Sequence, residues 1–100
     1  MPIERPLHLP EHETPAALPE VLQALRDQGL KPVHDKKSWG DWISLKPYET
    51  VISIDSQRGL TRNATLEIEE AEEDELELKL IEAFRTLGWW GIDEDGEYQL

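Results

Sequence analysis

Cysteine is absent from the 100 residues of this chain. Disulfide bonds, thiol catalysis and cysteine-ligated zinc or iron–sulfur centres are therefore excluded. Long apolar runs are absent too, since no stretch approaches the roughly 20 residues of a membrane-spanning helix. The first 15 residues lack the basic start and apolar core of a secretory signal peptide. These absences predict a cytoplasmic protein that does not enter a membrane.

Motifs for nucleotide binding and hydrolysis are missing as well. The sequence contains no GxGxxG, GxxxxGK[ST] or GxSxG pattern, so neither a phosphate-binding loop nor a nucleophile elbow is predicted. The order and spacing of the Ser, His and Asp residues do not indicate a triad. The carboxylates are too numerous for any pair to stand out as acid and base. We therefore name no cofactor and no catalytic residue, and favour a protein without enzymatic activity.

Basic residues are few, since ten Lys and Arg stand against 22 Asp and Glu, for a net charge of −12. Residues 63–100 hold two basic and thirteen acidic side chains, whereas residues 31–62 hold six basic and four acidic ones. A strongly acidic field repels nucleic acid and anionic membranes and attracts basic proteins. We therefore expect a basic protein partner, and neither nucleic acid nor a membrane.

The pattern of apolar residues, prolines and glycines predicts one folded domain over residues 16–100. An extended, proline-rich arm over residues 1–15 is predicted to precede it. Two helices are predicted from apolar stripes at helical spacing, over residues 18–29 and 73–87. Gly29 and Gly88 are suited to end them. Alternating or β-branched stretches predict strands over residues 30–34, 42–46, 50–55 and 63–69. A hairpin with the three-residue loop 94–96 would then close the chain.

This order of elements predicts an α+β fold with two layers. An antiparallel sheet of about four or five strands would carry both helices on one face, with the C-terminal hairpin extending or capping it. The predicted core consists of Leu22, Leu25, Val33, Ile43, Leu45, Ile52, Ile54, Leu66, Ile68, Leu80, Phe84, Leu87 and Trp90.

The densest feature is an acidic run over residues 67–77, in which eight of eleven residues are Glu or Asp. Acids in the first turn of a helix interact favourably with its dipole, so the run is explained in part as a solvated helix start. It is also suited to dock a basic partner. A divalent-metal cluster is a further alternative, since hard cations prefer oxygen ligands. The predicted interaction surface comprises Glu67, Glu69, Glu70, Glu73, Asp74 and Glu77, together with Trp39.

Trp39 joins this set because it lies in a predicted turn, where an exposed indole suits an interface anchor. Two other patterns resemble metal sites but are weak. His8 and His12 are four residues apart, yet Pro10 between them opposes a helix. Asp93, Asp95 and Glu97 alternate around Gly96, but a hairpin turn explains them better than a calcium loop.

These observations favour a non-enzymatic interaction module, such as an inhibitor, an immunity-type protein or an adaptor, that docks a basic partner through its acidic surface. One alternative is a protein or enzyme that binds a small ligand or a metal in a pocket between sheet and helices, near Trp39, Trp42 and His34. Another alternative is a homo-oligomeric structural protein. A homodimer would let the basic middle of one copy attract the acidic end of another.

Overall fold

The computed structural model describes residues 2–11 and 13–100 and has a mixed α+β architecture. Its strands are β1 (Pro2–His8), β2 (Ala16–Ala17), β3 (Pro32–Lys37), β4 (Gly40–Leu45), β5 (Val51–Gln57), β6 (Leu60–Glu69), β7 (Trp90–Asp93) and β8 (Gly96–Gln99). The helices are α1 (Leu18–Asp27) and α2 (Glu73–Thr86), and a single 3-10 turn (Glu70–Glu72) precedes α2.

All the strands belong to one antiparallel sheet, in the order β3-β4-β5-β6-β1-β7-β8, with the two-residue β2 also paired to β6. The α+β class and the antiparallel sheet are confirmed, but the prediction of four or five strands is wrong. Residues 2–8 lie within the segment predicted as an arm, and they form β1 between β6 and β7. Prolines normally argue against an inner strand. Here β7 reaches only Leu7 and His8 of β1, so Pro2 and Pro6 lie where β1 has its second side open.

Both helices end in the way that the sequence predicts. In α1, Gly29 has φ +82° and the amide of Leu30 donates to the Leu25 carbonyl. In α2, Gly88 has φ +83° and the amide of Trp89 donates to the Phe84 carbonyl. A left-handed residue at this point lets the chain turn back and satisfy the last carbonyls of the helix. Within the described residues, neither helix has the length and apolarity needed to cross a membrane.

One face of the sheet, which we call the covered face, carries the core. Its buried strand residues pair across β4, β5 and β6, as Ile43, Ile52 and Leu66 do. A single apolar cluster joins them to buried residues of both helices, among them Leu25 and Leu80. Fully burying a side chain of this size stabilises the fold by about 1.5–3 kcal/mol.

Two residues of the predicted core lie elsewhere. Val33 is 51% exposed, because His34 takes the inward position of β3 opposite Ile43. Trp90 is half-buried in β7, whereas its neighbour Trp89 is 1% exposed and packs edge to face on Phe84, with ring centroids 5.1 Å apart. The predicted core position is wrong by one residue, since the buried tryptophan is Trp89, which lies between α2 and β7 and whose amide caps the end of α2.

The C-terminal hairpin forms, but with a different register from the predicted one. Asp93 pairs with Gly96, so the loop has two residues and Gly91 stands opposite Tyr98. The side chain of Asp93 accepts a hydrogen bond of 2.9 Å from the amide of Asp95. This Asx turn tightens the loop and shifts the strands relative to the predicted three-residue connection.

Candidate functional site

Side chains that alternate with the core residues project from the second face of the sheet, which we call the open face. Every one of these side chains is half-buried or exposed. The strand register aligns them in three rows across β4, β5, β6, β1 and β7: Trp42, Ser53, Thr65 and Pro6; Ser44, Val51, Glu67 and Glu4; Asp55, Asn63, His8 and Trp90. An antiparallel sheet commonly has one such solvated face. This one combines aromatic rings with unpaired carboxylates.

Among the described residues, six carboxylates lie on the open face. Asp35 and Glu97 have side-chain partners there, Lys37 and His8, whereas Glu4, Asp55, Glu67 and Glu69 have none. Glu4 stands directly opposite Glu67, and like charges in this position destabilise a sheet. Neither carboxylate forms a hydrogen bond or an ion pair with another residue of the described ranges 2–11 and 13–100. No residue in the described part of the chain therefore compensates the repulsion between them.

Trp39 adds an aromatic side chain to this face. It lies in the two-residue turn between β3 and β4, is 51% exposed, and meets Trp42 edge to face with ring centroids 6.3 Å apart. The turn approaches β5 so closely that a Cβ on Gly40 would collide with the Ile54 carbonyl oxygen. Only glycine fits this contact. The local sequence therefore holds Trp39 against the sheet instead of leaving it on a free loop.

A cleft of about 390 Å³, which we call the Trp39 cleft, opens beneath this ring. It is lined by Trp39, Ser53, Asp55, Asn63, Ala64 and Thr65. A second concavity of about 480 Å³ adjoins it through Asp55 and Asn63, and Arg58 and Arg62 lie on its wall. Arg62 is already occupied, since its guanidinium donates to the carbonyls of Leu9, Pro10 and Glu13 at 3.0–3.3 Å. Arg58 is exposed in the turn between β5 and β6.

The structure divides the predicted interaction surface between several places. Trp39, Glu67 and Glu69 lie on the open face, whereas Glu73 and Glu77 lie on α2 with carboxylate oxygens 3.7 Å from the guanidinium of Arg5. Arg5 projects from the covered face, opposite Leu66. Glu73 and Glu77 are therefore engaged within the fold.

The remaining two residues of the predicted surface, Glu70 and Asp74, are exposed at the start of α2. The acidic run is consequently not one continuous surface.

Two further acids of the run tie the start of α2 to residues 46–50. The carboxylate of Glu72 accepts from the amides of Glu49 and Thr50 and from the Thr50 hydroxyl, at 2.7–3.1 Å. Burial raises the pKa of Glu72, but these donors outweigh it and leave the pKa below its ordinary value. Glu75 acts on Tyr48, whose pKa is raised chiefly by their hydrogen bond. Glu72 thus serves the fold.

A polar cluster at the edge of the covered face was not predicted from the sequence. Asp41 is 1% exposed and accepts from the Ser56 hydroxyl, while His34 Nε2 lies 2.5 Å from its other oxygen. Burial raises the pKa of Asp41, but the bonds from Ser56 and His34 and the charge of Lys36 leave it lowered. Ser56 donates to the aspartate and not to the histidine, so the arrangement does not activate a serine nucleophile.

The three residues named for the predicted pocket, Trp39, Trp42 and His34, do not share one face of the sheet. His34 belongs to the covered face, whereas both tryptophans belong to the open face. His8 Nε2 lies 3.1 Å from Glu97 Oε1 on the open face, and His12 lies outside the described residues. Within residues 2–11 and 13–100, no group of three or more His, Asp or Glu is arranged to hold a metal ion.

Comparisons of the chain with protein-family models, with curated proteins and with solved structures found no match. The geometry alone therefore supports a functional proposal. Its informative feature is the contrast between engaged and free carboxylates. Glu72, Glu73 and Glu77 have partners within the fold, whereas Glu4 and Glu67 have none among the described residues. Sequence composition marks all of these as acidic and does not separate the two groups.

Proposed function

We propose that this chain is a cytoplasmic, non-enzymatic docking module that binds a basic protein through the open face of its sheet. In this proposal both helices cover one face of the sheet, and the partner occupies the other. The observation that carries the proposal is the opposed pair Glu4 and Glu67, whose charges no described residue neutralises. Lysine or arginine side chains of a partner would relieve this repulsion, so the free energy lost in folding would be regained on binding.

The arrangement of apolar groups supports the same surface. Trp42 lies two strands from Glu67 and one same-face position along, because Trp42 aligns with Ser53 and Thr65. Trp39 packs on Trp42 and lines the same cleft as Thr65. Neighbouring strands are about 4.8 Å apart, and same-face positions along a strand are about 7 Å apart. Interfaces commonly combine a central aromatic anchor with a polar, charged rim. The open face has both, whereas the aromatic ring at the start of α2, Tyr48, is half-buried and already hydrogen-bonded to Glu75.

The test uses two double variants with the same change in net charge. Glu67→Lys with Glu69→Lys reverses the open face, and Glu70→Lys with Asp74→Lys reverses the exposed acids beside α2. Proteins captured from a host lysate by the wild-type chain are identified, purified and titrated against all three chains. We expect a basic partner that loses at least tenfold in affinity to the open-face variant and less than threefold to the control variant.

The salt dependence and the oligomeric state complete the test. Binding through exposed charges should weaken steadily as ionic strength rises. Equal losses in the two double variants would contradict the proposal, because acidity in general and not the open face would then govern binding. A salt-sensitive dimer that the open-face variant dissociates would overturn it in favour of self-association.

A further inference from the structure

The Trp39 cleft has the composition of a receptor for one planar cation. One wall is the half-exposed indole of Trp39, and the other walls carry the oxygen atoms of Asp55, Asn63, Ser53 and Thr65. No Lys or Arg is among the residues that line it. The face of a tryptophan attracts a cation electrostatically, most strongly where water is partly excluded.

Asp55 makes the cleft selective for positive charge. Its side chain is exposed and stands directly opposite Asn63 in the adjacent strand. Its carboxylate forms no hydrogen bond or ion pair with any residue in the described part of the chain, although Arg58 and Arg62 line the adjoining concavity. The guanidinium of Arg62 is held by three backbone carbonyls and forms no ion pair with Asp55.

We infer that the Trp39 cleft binds an arginine side chain of the partner, with the guanidinium stacked on the Trp39 ring and paired to Asp55. This inference rests on the proposed docking function and names the group that the partner inserts. Arginine fits better than lysine because its guanidinium is planar, stacks on aromatic rings and presents several donors in one plane. The carboxylate of Asp55 and the side-chain oxygen of Asn63 would accept from that plane.

The probe for the test is N-acetyl-arginine methylamide, titrated into the ¹⁵N-labelled full chain. The indole signal of Trp39 is assigned by its loss in Trp39→Phe. We expect saturable shifts of that indole and of the amides of Ser53, Asp55 and Thr65, with a Kd on the order of millimolar. The uncharged isostere N-acetyl-citrulline methylamide should shift these signals at least fivefold less at equal concentration.

Two variants test which charged side chain determines the affinity for the arginine probe. Asp55→Asn keeps the shape of an exposed side chain and should weaken the arginine probe about fivefold, at the upper end for a partly exposed ion pair. Arg58→Gly removes an exposed cation from the adjoining concavity and should strengthen the probe about twofold. The inference is overturned if the citrulline probe binds as well as the arginine probe, or if Asp55→Asn leaves the affinity unchanged.

The outcome also separates this inference from the proposed function. Glu67→Lys with Glu69→Lys should reduce partner binding at least tenfold while the arginine probe stays within about twofold, because the probe contacts neither residue. Suppose that partner binding depends on Glu67 and Glu69 but the arginine probe does not bind in the Trp39 cleft. The inference about arginine would then be wrong, and the proposed docking function would still hold.

Discussion

The two faces of the sheet are built from the same strands, yet they differ in how many of their carboxylates have partners. Carboxylates on the covered side are compensated: Glu73 and Glu77 approach Arg5, and Asp41 accepts from Ser56 and faces His34. On the open side, Asp35 and Glu97 are partnered by Lys37 and His8, but Glu4 and Glu67 stand opposite each other with no cation among the described residues. The net charge of −12 is therefore less informative than the location of the uncompensated part. Glu4 and Asp55 lie on strands outside the acidic run, whereas Glu67, Glu70 and Asp74 lie within it.

The largest expected change in the free energy of unfolding comes from the difference in packing between the two faces. Ile52 and Val51 are neighbours in β5, but Ile52 is fully buried and Val51 is half-buried on the open face. Ile52→Ala should lower the free energy of unfolding by about 2–5 kcal/mol, because it leaves a cavity in the core. Val51→Ala should lower it by less than about 1 kcal/mol. Urea unfolding measures both, and equal losses would contradict the assignment of the two faces.

The next effect separates engaged from free carboxylates within the acidic run. Glu72→Ala should lower the free energy of unfolding by about 1–3 kcal/mol, because the amides of Glu49 and Thr50 lose their acceptor. Glu70→Ala, two residues earlier and exposed, should change it by less than about 0.5 kcal/mol. If the two variants unfold at the same denaturant concentration, Glu72 does not hold the loop.

The pH dependence of unfolding tests the same contrast through protonation. Asp41 and Glu72 have pKa values lowered in the fold from ordinary values of 3.8 and 4.5. A lowered carboxyl pKa contributes stability above the unfolded-state pKa, and this stability is lost as pH falls through the folded-state pKa. The free energy of unfolding should therefore fall steeply below about pH 4.5, and less steeply in Glu72→Gln. A free energy of unfolding that stays constant below about pH 4.5 would show that the fold does not stabilise these carboxylates as anions.

The smallest expected effect concerns the backbone at the rim of the open face. Arg58 has φ +54°, a left-handed conformation that costs a side-chain-bearing residue about 1–2 kcal/mol. Arg58→Gly removes this strain but adds about 0.5–1 kcal/mol of chain entropy to the unfolded state. We expect a net gain in stability of about 0.5–1 kcal/mol, read as a rise in the thermal midpoint. A loss of stability would show that the arginine side chain supports the fold.

Local signals in the sequence were sufficient for the elements whose pattern is strong. The α1 stripe, the glycines that end both helices and the alternation in β6 all lead to the observed elements. The alternation also places Leu66 and Ile68 inside and Glu67 outside. Each of these depends on spacing within one segment, which the sequence displays directly.

Other features depend on which segments meet, and spacing within one segment does not contain that information. The prolines of residues 2–8 predict an extended arm. They are tolerated in β1 because β7 pairs only with Leu7 and His8, which leaves one side of the strand open beside Pro2 and Pro6. The pairing of His34 with Asp41 joins residues from adjacent strands, whereas the sequence draws attention to Asp35 as its neighbour. The division of the acidic run arises because β6 ends and α2 begins inside it. The independence of residues 16–100 as a folding unit stays a prediction.

The most direct test of the account is a map of where a basic ligand binds. A lysine- and arginine-rich peptide is titrated into the ¹⁵N-labelled chain, and amide shifts are followed residue by residue at low and high salt. We expect salt-sensitive shifts on the open-face strands, centred on Glu67 and the Trp39 turn, with the amides of α2 unchanged. Shifts centred on Glu70, Asp74 and the first turn of α2 would contradict it, because the acidic helix start and not the open face would then receive the partner.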